Sequence, residues 1–146
     1  MTLYFAYGTN MDRAGMRLRC PEARGLGTAA LDGWRLLVMR DGYVSIAPRA
    51  GAVVHGVLWR LGPRDLAALD AYEAVDAGLY RRQLLDVMHD GQSRAAEVYI
   101  GRSDAEGRPR PGHMSLVIAA AQSWGLPAAY LEEMRQWSSP EAGDLR

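Results

Sequence analysis

Short apolar stretches alternate with polar positions and are broken by Gly, Pro and Asp, a rhythm that predicts strands through the middle of the chain and helices around them. Thr2-Leu3-Tyr4-Phe5-Ala6-Tyr7 is rich in β-formers and runs into Gly8, which reads as a strand entering a turn. Thr9 or Asn10 can cap a short helix over Met11–Arg19, stopped by Pro21. Trp34–Met39 and Tyr43–Ala47 flank Asp41-Gly42, a hairpin signal, and Val53–Leu61 makes a further strand. A helix is expected over Pro63–Tyr72, with Pro63 suited to its first turn. Tyr80–Met88 and Arg94–Ile100 read as a second hairpin around Asp90-Gly91, and Gly101–Gly112 as a loop. Met114–Trp124 is apolar and helical, with Gly125 as its cap, and Pro127–Trp137 supplies a last amphipathic helix. The expected class is α+β: a small mixed β-barrel or strongly curved sheet with surrounding α-helices. Residues 1–137 form one domain in this reading, and 138–146 a polar tail.

The length of 146 residues fits one domain, which at this size buries roughly 68–70% of its unfolded surface and needs no disulfide or metal to fold. Seventeen Arg balance seventeen Asp plus Glu, and no Lys is present. That balance argues against a nucleic-acid partner, and the missing Lys excludes a Schiff base or a phosphate-loop lysine. Cys20 is the single cysteine, which excludes an internal disulfide and leaves a reducing, cytoplasmic setting as the expectation. The longest apolar run, Leu116–Ala121, falls far short of a bilayer span, so no membrane partner is expected.

Two places put polar groups where chemistry could use them. At the corner Tyr4–Asn10, a strand ending in Gly feeds a helix start and leaves backbone N–H groups pointing one way. Such a corner either binds an anion or oxyanion, or is simply a tight turn with a helix cap. In the helix expected over Pro63–Tyr72, Leu66, Leu69 and Glu73 are spaced by three and four, which sets the carboxylate at the end of an apolar stripe. Desolvation and the helix C-terminus would both raise its pKa and suit it to accept and return a proton near neutrality. Alternatively the helix ends early and Glu73 faces water or pairs with Arg81 or Arg82.

Other candidates carry less. Cys20 could pair with His55, His89 or His113, but none has the surroundings of a cysteine hydrolase. The histidines show no metal-ligand spacing, and Ser45, Ser115 and Ser123 lack a nucleophile-elbow context. Trp59, Trp124 and Trp137 read as core positions, although an exposed Trp137 would be compatible with a homodimer interface.

Leu3-Tyr4-Phe5-Ala6-Tyr7-Gly8-Thr9-Asn10-Met11 resembles the YGSN signature of the γ-glutamylcyclotransferase family. Val54-His55-Gly56-Val57-Leu58-Trp59, followed by Leu69-Asp70-Ala71-Tyr72-Glu73 and Leu79-Tyr80-Arg81, resembles its second block, and Gly125-Leu126-Pro127-Ala128-Ala129-Tyr130 its C-terminal turn. The resemblance implies a small mixed-sheet barrel that cyclises a γ-glutamyl group, releasing 5-oxoproline and an amine, without a cofactor. It implies Glu73 as the catalytic acid–base, and Tyr4, Phe5, Ala6, Tyr7, Gly8, Thr9 and Asn10 as the loop that holds the substrate. Three positions depart from the family pattern. Thr9 stands for Ser, Ala74 for Gly after the glutamate, and His113 takes the place of a substrate-side tyrosine. The partner implied is a small γ-glutamyl molecule; a non-catalytic carboxylate- or peptide-binding module on the same fold is the competing reading.

Overall fold

The computed structural model describes residues 1–138. Strand β1 (Thr2–Ala6) leads through a 3₁₀ turn (Thr9–Met11) to helix α1 (Arg13–Arg19). Strands β2 (Arg24–Val38) and β3 (Val44–Leu61) follow, then α2 (Asp65–Tyr72), β4 (Tyr80–His89), β5 (Gln92–Gly101), α3 (His113–Trp124) and α4 (Ala128–Arg135). The strands close into a mixed barrel in the order β1-β3-β2-β4-β5, as expected of the α+β reading. β1 runs antiparallel to β3, from Thr2↔Leu61 to Ala6↔Val57, and parallel to β5 at Tyr4↔Glu97. Ala30↔Met88 joins β2 to β4.

Two long strands replace the shorter pieces expected. Tyr43–Ala47 and Val53–Leu61, expected as separate strands, belong to one strand β3 that passes through Pro48 and Gly51, where a register shift between Asp32 and Trp34 absorbs the irregularity on exposed residues. Arg24–Gly33 has weak β propensity and becomes strand by pairing with Val53–Arg60, a partner rich in β-formers. Gly56 leaves room for β1 against β3: a Cβ there would lie 2.3 Å from the Ala6 carbonyl oxygen.

Helix boundaries move for local reasons. The cap of α1 is Asp12, whose carboxylate accepts the Gly15 N–H at 3.0 Å, rather than Thr9 or Asn10, which belong to the 3₁₀ turn. Helix α2 starts at Asp65 and leaves Pro63 outside, since the buried Asp65 carboxylate takes the Gly62 N–H at 2.6 Å and closes a turn first. Gly112 and Gly125, both with φ of 79°, bracket α3. Leu37, Val54, Leu58, Val87 and Val98 are fully buried at the centre of the core. Trp137 packs half-buried against that core. Beyond Ser138, the expected polar tail lies outside the described residues.

Candidate active site

One end of the barrel gathers the β1 turn, the C-terminus of α2, the starts of β3 and β4, the end of β5 and the start of α3. They enclose a cavity of about 270 Å³. This is near the lower end of the ~300–1,000 Å³ typical of small-molecule sites, so it suits one small metabolite. Tyr4, Tyr7, Gly8, Thr9, Asn10, Glu73 and His113 all line it.

Phe5 and Ala6, expected with the rest of the Tyr4–Asn10 run to hold substrate, do not line the cavity. Side chains alternate along a strand, so Phe5 points away from Tyr4 into the core, where its ring packs at Gly56. Ala6 is buried in the β1–β3 pairing opposite Val57. The sequence reading also missed Tyr43, Val44, Tyr72, Leu79, Tyr80 and Tyr99. Tyr72 and Tyr80 lay inside motifs already singled out, whereas Tyr99 reaches the site only through the β5 register.

Glu73 caps the C-terminus of α2, its N–H still bonded to the Leu69 carbonyl at 2.8 Å. Its half-buried carboxylate turns into the cavity and accepts the Asn10 amide at 3.3 Å. Arg81 and Arg82 are engaged elsewhere: Arg81 donates to Gln83, while Arg82 clasps Asp70 and Glu97. Burial therefore pushes the Glu73 carboxyl up to about 7, opposed only in part by the Arg19 guanidinium. Ala74 adopts a φ of 52°, so the chain leaves α2 through the left-handed conformation that glycine would take more easily.

Around that carboxyl stand phenols kept neutral mainly by burial. Tyr7 donates to the Tyr99 carbonyl, Tyr80 to the Val44 carbonyl and Tyr99 to Asp70, each at 2.6 Å. These bonds tie the β1 turn, β3, β4, β5 and α2 into one wall. The Tyr4 hydroxyl accepts the Asn10 amide at 2.9 Å, which leaves its own proton to donate. In the β1 turn, the Met11 and Asp12 N–H groups close the 3₁₀ turn on Gly8 and Thr9. The N–H groups of Gly8, Thr9 and Asn10 precede its first internal bond and are left for another acceptor.

Val44 donates its N–H to His113 Nε2 at 3.2 Å, which places the imidazole proton on Nδ1. Burial and Arg110 hold the His113 pKa down, so the ring is a neutral donor at Nδ1. The remaining candidates lie apart. Burial pushes the Cys20 thiol up to about 11, His55 packs on Tyr130, and His89 bonds the Thr28 carbonyl. Ser45 is buried and accepts the Gly101 N–H. Among the described residues, no cluster of His, Cys, Asp and Glu could hold a metal ion, and no helix is long and apolar enough to cross a membrane.

The fold and site together define a closed-barrel protein with a half-buried, protonatable carboxyl facing a small cavity. The family model "Gamma-glutamyl cyclotransferase, AIG2-like" matches residues 4–124, and the chain belongs to that family. It is 27% identical over 144 residues to the Gamma-glutamylcyclotransferase of Homo sapiens, covering 91% of this chain and 77% of the relative. The Bos taurus protein of that name is 27% identical over 155 residues, covering 99% of this chain and 81% of the relative. A solved structure of a Gamma-glutamyl cyclotransferase superposes with a TM-score of 0.85 at 26% identity, over 92% of this chain and 86% of the other.

Proposed function

We propose that this protein is a cyclotransferase that converts a γ-glutamyl amino acid, peptide or amine into 5-oxoproline and the released amine. The observation that carries the reading is Glu73: a single carboxyl held at about 7 by burial, facing a cavity of metabolite size. A pure carboxylate-binding module gains nothing from such a group, because it would repel its ligand.

The chemistry needs no enzyme nucleophile, since the substrate carries its own. Ionised Glu73 takes a proton from the substrate α-ammonium. The freed nitrogen attacks the γ-carbonyl carbon, a C–N bond forms, and the carbonyl electrons move to oxygen. As the oxyanion collapses, the bond to the leaving nitrogen breaks and Glu73 returns the proton to that nitrogen; the regenerated carboxylate then takes the extra proton from the ring nitrogen and passes it to the departing amine, which leaves as an ammonium. A carboxyl near 7 is poised for both transfers at neutral pH. The N–H groups of the Gly8–Asn10 turn suit an α-carboxylate or the developing oxyanion. Packing the glutamyl chain against the phenol wall restricts it to the attack geometry, and such orientation can supply about 7–11 kcal/mol. Neither a cofactor, a nucleic acid nor a membrane enters the reaction. His113 Nδ1 is the neutral donor at the rim of the site and takes the role of the family's tyrosine toward the leaving group.

The test is 5-oxoproline release from γ-glutamyl-alanine, a γ-glutamyl amine and glutathione, with Glu73→Gln beside the native protein. Release from any of the three that the substitution abolishes supports the reading. Unchanged release from the folded variant refutes the acid–base role of Glu73.

A further inference from the structure

Arg19 lies outside every motif considered above, yet its side chain is built into the wall behind Glu73. Its Nε donates to Asn10 Oδ1 at 2.8 Å, and its guanidinium carbon lies 4.1 Å from the centre of the Tyr72 ring. Asn10 is 98% buried and fully committed: its oxygen serves Arg19, while its amide donates to both Tyr4 and Glu73. That geometry fixes which end of the Asn10 side chain faces the carboxylate, because only the Arg19 contact demands an acceptor on the other side.

Gly15 supplies the matching notch. Glycine is disfavoured within a helix, and α1 contains one with ordinary helical φ. A Cβ at Gly15 would lie 2.6 Å from Arg19 Nη2 and 3.2 Å from its Cζ, so a side chain at position 15 would displace the guanidinium from this seat over α1. Asp12 closes the other side of the notch and is itself taken by the Gly15 N–H.

We propose that Arg19 is a positioning residue for Glu73: seated in the Gly15 notch and clamped by Asn10 and Tyr72, it orients the Asn10 amide toward the carboxylate and supplies the positive charge that the ionised form faces. The other titratable groups that line the cavity with Glu73 are the phenols of Tyr4 and Tyr7 from the first strand and turn, Tyr43 beside β3, Tyr72 of α2, Tyr80 from β4 and Tyr99 from β5, and the imidazole of His113 from α3, which burial and Arg110 disfavour as a cation. Asp70 stands behind Tyr99, already bonded to Arg82. None of these offers a second cation, and Arg19 is the group that draws the Glu73 carboxyl downward. The kinetic half of this proposal rests on the cyclotransferase reading; the titration half does not.

The experiment compares Arg19→Met, Arg19→Lys and Gly15→Ala with the native chain. It follows the Glu73 carboxyl by ¹³C NMR, assigned by its loss in Glu73→Gln, and kcat/KM for γ-glutamyl-alanine from pH 5 to 9. Arg19→Met should move the Glu73 titration and the rising limb of kcat/KM upward by about one pH unit, within the range an adjacent opposite charge produces. Gly15→Ala keeps every charge and should move both in the same direction, and it decides the matter if Arg19→Met does not fold. Arg19→Lys should restore most of the titration but not the kcat, because a lysine has no Nε to hold Asn10 in the same orientation. An unmoved Glu73 titration in a folded Arg19→Met or Gly15→Ala protein overturns the proposal. A moved titration with no 5-oxoproline from any protein, native included, upholds the Arg19–Glu73 coupling and refutes the cyclotransferase reading instead.

Discussion

Replacing Glu73 by Gln should make the protein more stable at alkaline pH, while removing its turnover. The carboxyl sits at about 7 in the folded state against an ordinary 4.5. A folded pKa raised above the unfolded one means that the group favours folding fully below about 4.5 and loses that contribution as pH rises through 7. The gap between those values corresponds to about 3 kcal/mol of folding free energy, the opposing attraction of Arg19 already included. Glutamine never ionises and keeps an oxygen to accept the Asn10 amide, so the variant escapes that loss. Native and variant should therefore match in stability near pH 4 and diverge by up to ~3 kcal/mol at pH 8.5, on the order of 10 °C in melting temperature for a chain of this size. Urea and thermal unfolding followed by tryptophan fluorescence across pH 4–9 measure the difference. A gap that stays constant across that range, or a native protein that is the more stable one at pH 8.5, would refute the reasoning that Glu73 is held neutral by burial.

Further expectations concern the walls of the site. Ala74→Gly should stabilise the fold by up to about 1 kcal/mol, since the left-handed φ of 52° strains an alanine, and equilibrium unfolding at pH 5 reads this apart from Glu73 ionisation. In Gly8→Ala, the new Cβ would lie 2.7 Å from Val44 Cγ2 and push a stiff β-branched side chain whose backbone holds both Tyr80 and His113. We expect a cost of about 1–3 kcal/mol together with a loss of kcat/KM of at least about tenfold, and a variant with native stability and activity would contradict the tight approach. Tyr99→Phe removes the donor to Asp70 but leaves the Arg82 pair, so denaturation should show a loss of about 1 kcal/mol.

The positions of Glu73 and of the β1 turn were legible because both are local. Leu66, Leu69 and Glu73 follow helical spacing, and a strand running into Gly8 declares its own turn. The helices around the barrel were legible for the same reason, through periodicity and the glycine that closes α3. What misled was also local: Tyr43–Ala47 and Val53–Leu61 look like separate strands, and Pro63 looks like a first helical residue, until the β3 pairing and the Asp65 carboxylate override them.

The sequence by itself determined the class of fold, the single cysteine's exclusion from disulfide chemistry, and the candidate acid–base group. Only the tertiary structure decided that Glu73 turns inward rather than toward Arg81 or Arg82, that Phe5 belongs to the core, and that Tyr80 and Tyr99 complete the wall. The physical reason lies in range. Spacing and capping act over a few residues, whereas Asn10 reaches Glu73, and Tyr7 reaches Tyr99, only after the strands have closed the barrel. The desolvation that sets the carboxyl near 7 exists only once those distant residues are in place.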